Sequence, residues 1–91
     1  MKSKRKSVTI KPEDPVYAIG VVSKLLHVPE WTLRAFEKEG LVQPKRQNKK
    51  NRFYSMKDIK KIEMISFLME EKGVNMRGVN FIIEREMHVE F

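Results

Sequence analysis

The chain has 91 residues, enough for one domain with a modest core, and its lack of cysteine excludes disulfide staples and thiolate metal sites. With 19 Lys and Arg against 12 Asp and Glu, the formal charge is +7, which favours nucleic acid or an anionic surface as partner. No apolar run approaches the roughly 20 residues of a membrane span, and no apolar signal core follows the basic start MKSKRKS, so a soluble cytoplasmic protein without a membrane partner is expected.

Residues 1–15 hold Lys2, Lys4, Arg5, Lys6 and Lys11, then Pro12 and Pro15. They read as a flexible basic arm, with Pro-Glu-Asp-Pro as the stop before a folded domain over 16–91. Either the arm meets an anionic partner or it is a solubilising tail. From Tyr17 the pattern turns helical. Ala18, Ile19, Val22, Leu25 and Leu26 fall on one face, with Lys24 opposite. The helix ends near His27-Val28, and proline is favourable at a first helical position. The spacing therefore predicts a second helix from about Pro29 to Lys38, stopped by a left-handed Gly40. Two helices joined this closely are the signature of a helix-turn-helix. Leu33 and Phe36 face inward with Thr32 beside them. Trp31, Arg34, Ala35 and Lys38 share the outer face, because spacings of three, four and seven stack on one side of a helix.

The stretch PKRQNKKNRFYS crowds Lys45, Arg46, Lys49, Lys50 and Arg52 into one loop. Like charges that close repel unless something polyanionic offsets them. Leu41-Val42 and Phe53-Tyr54 bracket this loop and are expected to pair as a small hairpin with its tip at residues 47–51. Such a hairpin is marginal alone, so Leu41, Phe53 or Tyr54 should pack on the helices. Ser55-x-x-Asp58 reads as a capping box opening a third helix. Ile59, Ile62, Ile65 and Met69 form its apolar stripe, which Met64, Phe67 and Leu68 broaden into a half wrapped on several sides. Gly73 ends it. Asn75 is a good N-cap for a fourth helix lined by Met76, Val79, Ile82, Ile83 and Met87, with Phe81 pointing away. The fold class is thus mainly α, a helix-turn-helix with four helices and a small β-hairpin.

Thr32-Leu33-Arg34, Phe36-Glu37, Glu39-Gly40-Leu41-Val42, Pro44 and Arg46 together resemble the recognition helix and wing entry of the MerR family of bacterial transcription regulators. Arg52-Phe53-Tyr54-Ser55 with Asp58-Ile59 resembles the end of that family's wing and the start of its next helix. Glu71-Lys72-Gly73-Val74-Asn75-Met76 with Val79 and Ile82 resembles its last DNA-domain helix pair. The match covers roughly Tyr17 to Glu84. The spacing through Glu70-Glu71-Lys72-Gly73-Val74-Asn75 is most like the heat-shock repressor branch, whose members repress chaperone genes, and next most like the glutamine-synthetase repressor branch. His27 stands where the family often has glycine; histidine tolerates the left-handed region better than most residues. Ala35 stands where the family often has an aromatic or longer polar residue.

The resemblance implies a winged helix-turn-helix that binds double-stranded DNA in a sequence-specific way as a transcriptional regulator, with repression expected. The second helix would enter the major groove and the wing would lie on the phosphates, where released counterions supply much of the affinity. The residues expected at the DNA are Trp31, Thr32, Arg34, Ala35, Lys38, Lys45, Arg46, Lys49, Lys50, Arg52, Tyr54 and Lys57. Trp31 either packs on a sugar or thymine methyl or packs against the first helix. Lys57, Lys60 and Lys61 either extend the phosphate track or form a solvated face. From the shared motif, Glu37 would pair with Arg52 and brace the wing. His27 and His88 lack metal spacing and read as structural.

One recognition helix reads few bases, so a homodimer on an inverted-repeat operator is expected. The chain runs only a few residues past the fourth helix, and the family's dimerising coiled coil and effector domain are not within it. Dimerisation would use an apolar contact of Phe81, Val89 and Phe91, or the chain is a truncated domain. No glycine-rich phosphate loop, metal cluster or nucleophile-base set appears, so neither an enzyme nor a cofactor is expected. The rival readings are a phage excisionase-type architectural protein that bends DNA and an adaptor that meets an acidic protein.

Overall fold

The computed structural model describes residues 8–48 and 50–85. The element order is β1 (Tyr17–Ala18), α1 (Ile19–Leu26), α2 (Glu30–Lys38), β2 (Lys45–Arg46), β3 (Arg52–Tyr54), α3 (Met56–Glu70) and α4 (Met76–Arg85). The fold is mainly helical, with one small antiparallel sheet in the order β1-β3-β2.

α1 ends where His27 takes the left-handed conformation, at φ 56° and ψ 42°, and its amide returns to the Ser23 carbonyl. Pro29 is extended, with ψ 148°, so it caps α2 rather than joining it, and the helix begins at Glu30. The other end of α2 closes as a Schellman motif. Gly40, at φ 78°, donates its amide to the Glu37 carbonyl at 2.9 Å, and Leu41 donates to the Phe36 carbonyl at 2.9 Å. Leu41 and Phe36 are both buried, which supplies the apolar contact that accompanies this motif.

Three sequence expectations give way here. Leu41-Val42 is not a strand: both side chains are buried as core plugs. Pro44 has no amide to give a ladder, so pairing starts only at Lys45, with Lys45 opposite Phe53 and Arg46 opposite Arg52. Tyr17-Ala18 is not helical: it fills the other edge of β3, with Tyr17 opposite Tyr54 and Ala18 opposite Phe53. Leu25 does not face the core. It lies about 100° around the helix from Leu26 and is 57% exposed, in an open groove with Phe67, Glu63, Glu70 and Glu71.

α3 starts with the expected capping box: the Asp58 amide donates to Ser55 Oγ at 3.1 Å and the Ser55 amide donates to Asp58 Oδ2 at 2.9 Å. Ile59, Ile62 and Ile65 are buried, and Met69 and Leu68 pack at the margin of the same core. Phe67 departs from the expected wrapping. It is exposed and carries the Lys72 ammonium 5.6 Å from its ring centre. Gly73 is left-handed at φ 69°, and Asn75 Oδ1 accepts the Gly78 amide at 2.8 Å to open α4. Val79 is buried, and Met76 and Ile83 pack against the core. Phe81 is exposed as expected. Met87 lies outside the described residues.

The core joins Val22, Val28, Leu33, Phe36, Ile62 and Val79 across all four helices. It holds α2 with one face turned out and sets the hairpin beside it.

The Gly40 turn yields a clean test. A Cβ added there meets no atom within 4 Å, so the cost of Gly40→Ala is backbone strain alone. Urea melts should show a loss of about 1–2 kcal/mol, and Gly40→Asn should lose less.

Candidate nucleic-acid interface

α2 turns outward a face that the core does not need. Leu33 and Phe36 are buried, whereas Trp31 is 72% exposed and Arg34 and Lys38 are exposed beside it. Trp31 therefore does not pack against α1. Ala35 is half-buried on this face, and Thr32 is half-buried on its inner flank, in a cleft with Val28, Phe36, Ser66 and Met69. Arg34 is drawn toward Glu30, one turn earlier, at 3.3 Å.

The hairpin stands next to this face because one carboxylate ties the two together. Glu37 Oε1 accepts from Arg52 Nε at 2.5 Å, and Glu37 Oε2 accepts from Arg46 Nε at 3.0 Å. Arg46 Nη2 is 2.9 Å from the same oxygen. Arg46 and Arg52 are directly opposed across β2 and β3, so both side chains leave the sheet on one side. Burial pushes the Glu37 carboxyl up, but the two hydrogen bonds and the two charges outweigh it and hold it below the ordinary carboxylate range.

Arg34, Lys38, Arg46 and Arg52 line an open cleft of about 380 Å³ with Glu37. Four cations and one carboxylate line it, with Glu30 beside Arg34, so the cleft keeps an excess of positive charge. The tip of the hairpin is closed by the Asn48 side chain and by backbone. Asn48 Oδ1 accepts the Lys50 and Asn51 amides, both at 2.9 Å, and the Gln47 amide donates to the Asn51 carbonyl at 3.1 Å. This leaves the Lys50 side chain exposed at the end of the prong. Lys49 lies outside the described residues.

Residues 17–86 match the model of the MerR HTH family regulatory proteins. The chain belongs to the MerR family. It is 34% identical over 86 residues to a heat shock protein, HspR, of Streptomyces coelicolor, covering 94% of this chain and 57% of that protein. It is 30% identical over 69 residues to the HTH-type transcriptional regulator GlnR of Bacillus anthracis, covering 76% of this chain and 53% of that protein. The GlnR of Bacillus cereus matches to the same extent. The chain thus spans a little over half the length of these relatives.

Within this MerR domain the expected residues divide by place. Trp31, Arg34, Lys38, Lys45, Arg46 and Lys50 are exposed on the α2 face or the hairpin. Arg52 is half-buried because it anchors as well as charges the cleft. Lys57 is half-buried in the first turn of α3, and Lys60 is exposed beyond it. Tyr54 does not belong to the face. Its side chain is fully buried, and burial, helped by the nearby Glu37 charge, pushes its phenol up to about 12. It is a core anchor for the hairpin, in line with the expectation that Leu41, Phe53 or Tyr54 packs on the helices. Sequence reasoning found Glu37 with Arg52 but missed Arg46 as the second partner. The signal was the hairpin register, which a strand beginning at Leu41 conceals.

The clamp should be measurable as coupling. A double-mutant cycle with Glu37→Gln and Arg52→Gln is expected to show about 1–2 kcal/mol of interaction energy; additive losses would remove the clamp. The pH dependence has a fixed sign. The Glu37 carboxyl is lowered in the folded state, so its stabilisation is complete above the unfolded value near 4.5 and is lost as pH falls through the lower folded value. Stability of Glu37→Gln should fall less steeply than wild type through that acid range.

Proposed function

We propose that this domain binds double-stranded DNA in a sequence-specific way as a transcriptional regulator, with repression as its mode. α2 is the recognition helix and the β2-β3 hairpin is the wing. The observation that carries this reading is the convergence of Arg34, Lys38, Arg46 and Arg52 on one cleft, beside an exposed Trp31. A cleft with so many cations is unfavourable in isolation, and phosphate relieves the repulsion. The family membership and the HTH-type regulator relatives point the same way.

Each side chain has a role set by its chemistry. Arg34 stands at mid-helix on the outer face, where a planar guanidinium can pair with a guanine edge or a phosphate. Its pair with Glu30 is exposed and worth little, so duplex contacts displace it. Trp31 packs its ring on sugar or a thymine methyl. Thr32 and Ala35 line the shoulders of the groove-facing surface. Lys38, Lys45, Arg46, Lys49, Lys50 and Lys57 serve the backbone of the duplex. Arg52 stays with Glu37 and holds the wing at a fixed angle to the recognition helix, so that both meet the duplex together.

A single helix of this length reads few base pairs. Two copies on an inverted repeat, with half-sites about 34–36 Å apart, provide the missing selectivity. Phe81, 58% exposed, is available for a contact between copies; Val89 and Phe91 lie outside the described residues.

Selection of bound sites from random duplexes should return an inverted repeat. On that site, Arg34→Ala should cost about 1–3 kcal/mol and relax preference at one position of each half-site. Lys49→Ala with Lys50→Ala should weaken all sequences alike and lower the salt slope by about 2. Unchanged affinity in Arg34→Ala would take α2 out of the groove. Sedimentation at rising concentration tests the Phe81 contact, which a monomer at every concentration would exclude.

A further inference from the structure

Beside the cations of α2 stands a carboxylate that the Glu37 clamp does not use. Glu30 is the first residue of α2, and its side chain is close to half exposed. Oε1 lies 3.3 Å from Arg34 Nη2, one turn on. Oε2 lies against Gly20, where an added Cβ would stand 3.4 Å from it. Gly20 belongs to the first turn of α1, which has no acidic residue and no side-chain cap of its own. The positive ends of α1 and α2 thus both lie beside this carboxylate and hold it at the start of the exposed face.

Glu30, Arg34 and Lys38 recur every four residues and form one row along the helix. In a helix-turn-helix, the N-terminal residues of the recognition helix contact base edges. Here those residues are Glu30, Trp31 and Arg34, with Lys38 at the far end. Phosphate repels a carboxylate, so Glu30 adds nothing to grip on the duplex backbone. An ionised carboxylate only accepts hydrogen bonds. In the major groove, guanine and thymine meet it with acceptors, and adenine sets its N7 acceptor next to its amino group. Cytosine presents an amino group alone. A guanidinium only donates, and guanine is its match.

We propose that Glu30 is a specificity-determining residue that accepts the N4 amino group of a cytosine within two base pairs of a guanine read by Arg34. This inference rests on the DNA-binding reading above. The Glu30-Arg34 pair is exposed, so a duplex displaces it at little cost. Arg34 then turns to guanine, and Glu30 Oε1 needs a new donor while Oε2 keeps its place at α1. Four residues of helix rise about 6 Å, less than two base steps of about 3.4 Å. This sets how far the cytosine stands from the guanine.

The test selects bound sites from random duplexes with the full chain as wild type, Arg34→Ala, Glu30→Ala and Glu30→Gln, each checked for folding by thermal melts. Wild type should return a C·G pair within two base pairs of the position that Arg34→Ala relaxes. Glu30→Ala should lose the preference for that pair and keep the other. Glu30→Gln should shift it toward adenine, whose N6 and N7 suit an amide. In anisotropy titrations, changing that cytosine to thymine should weaken wild type about tenfold or more and leave Glu30→Ala nearly unchanged. A motif without such a C·G pair, or one that the folded Glu30 variants return unchanged, overturns this inference alone. Loss of the Arg34 preference in Glu30→Ala makes Glu30 a positioning residue and overturns its base-reading role. A wild type that selects no site overturns the DNA-binding reading itself, and this inference with it.

Discussion

The Glu37 carboxylate is the joint on which the proposed recognition face is built. Its two oxygens receive two arginines from two strands. Without it, Arg46 and Arg52 would sit directly opposite each other on one side of the hairpin and push the strands apart. With it, one negative charge converts that repulsion into a bond between the wing and α2. The joint depends in turn on the end of α2. Glu37 sits in the last turn, and the left-handed Gly40 with buried Leu41 fixes where that turn stops. Glycine, carboxylate and arginine pair thus form one chain of cause, from backbone geometry to the placing of a charged surface.

The rest of the fold serves to hold that joint still. Tyr54 buries its ring directly behind Arg52-Phe53, and Ser55 then turns the chain into α3 with a complete capping box. The wing is accordingly rooted in the core at one end and tied to α2 through the Arg46-Arg52 pair. A two-strand hairpin is marginal alone. Here β1 adds a third strand, so β3 has a partner on each edge.

Much of this was legible in the sequence because it is local. The capping box, the left-handed glycines, the outer face of α2 and the inward Leu33 and Phe36 all follow from spacings of a few residues. The family motifs supplied Glu37 with Arg52. Less local features were not legible. Tyr17-Ala18 carries no mark of being a strand, since its partner Tyr54 lies far along the chain and tertiary pairing decides the matter. Leu41-Val42 looks strand-like, yet burial claims both side chains and Pro44 postpones the ladder. That misplaced strand concealed the Arg46-Arg52 register, and with it the second half of the clamp. Leu25 was misplaced because an α1 of eight residues buries only a narrow stripe. Tyr54 carried two expectations, packing on the helices and lying at the DNA, and its full burial fits the first.

The turn at Asn48 separates shape from charge at the far end of the prong. Its curvature comes from the Asn48 side chain and backbone hydrogen bonds, with the Arg52 guanidinium reaching the Lys50 carbonyl, and none of these bonds involves a lysine side chain. Cations there can be gained or lost through substitution while the loop keeps its form. In the proposed DNA-bound state the charge of the tip can therefore vary apart from its shape, whereas the arginines nearer the base, committed to their carboxylate, have no such freedom.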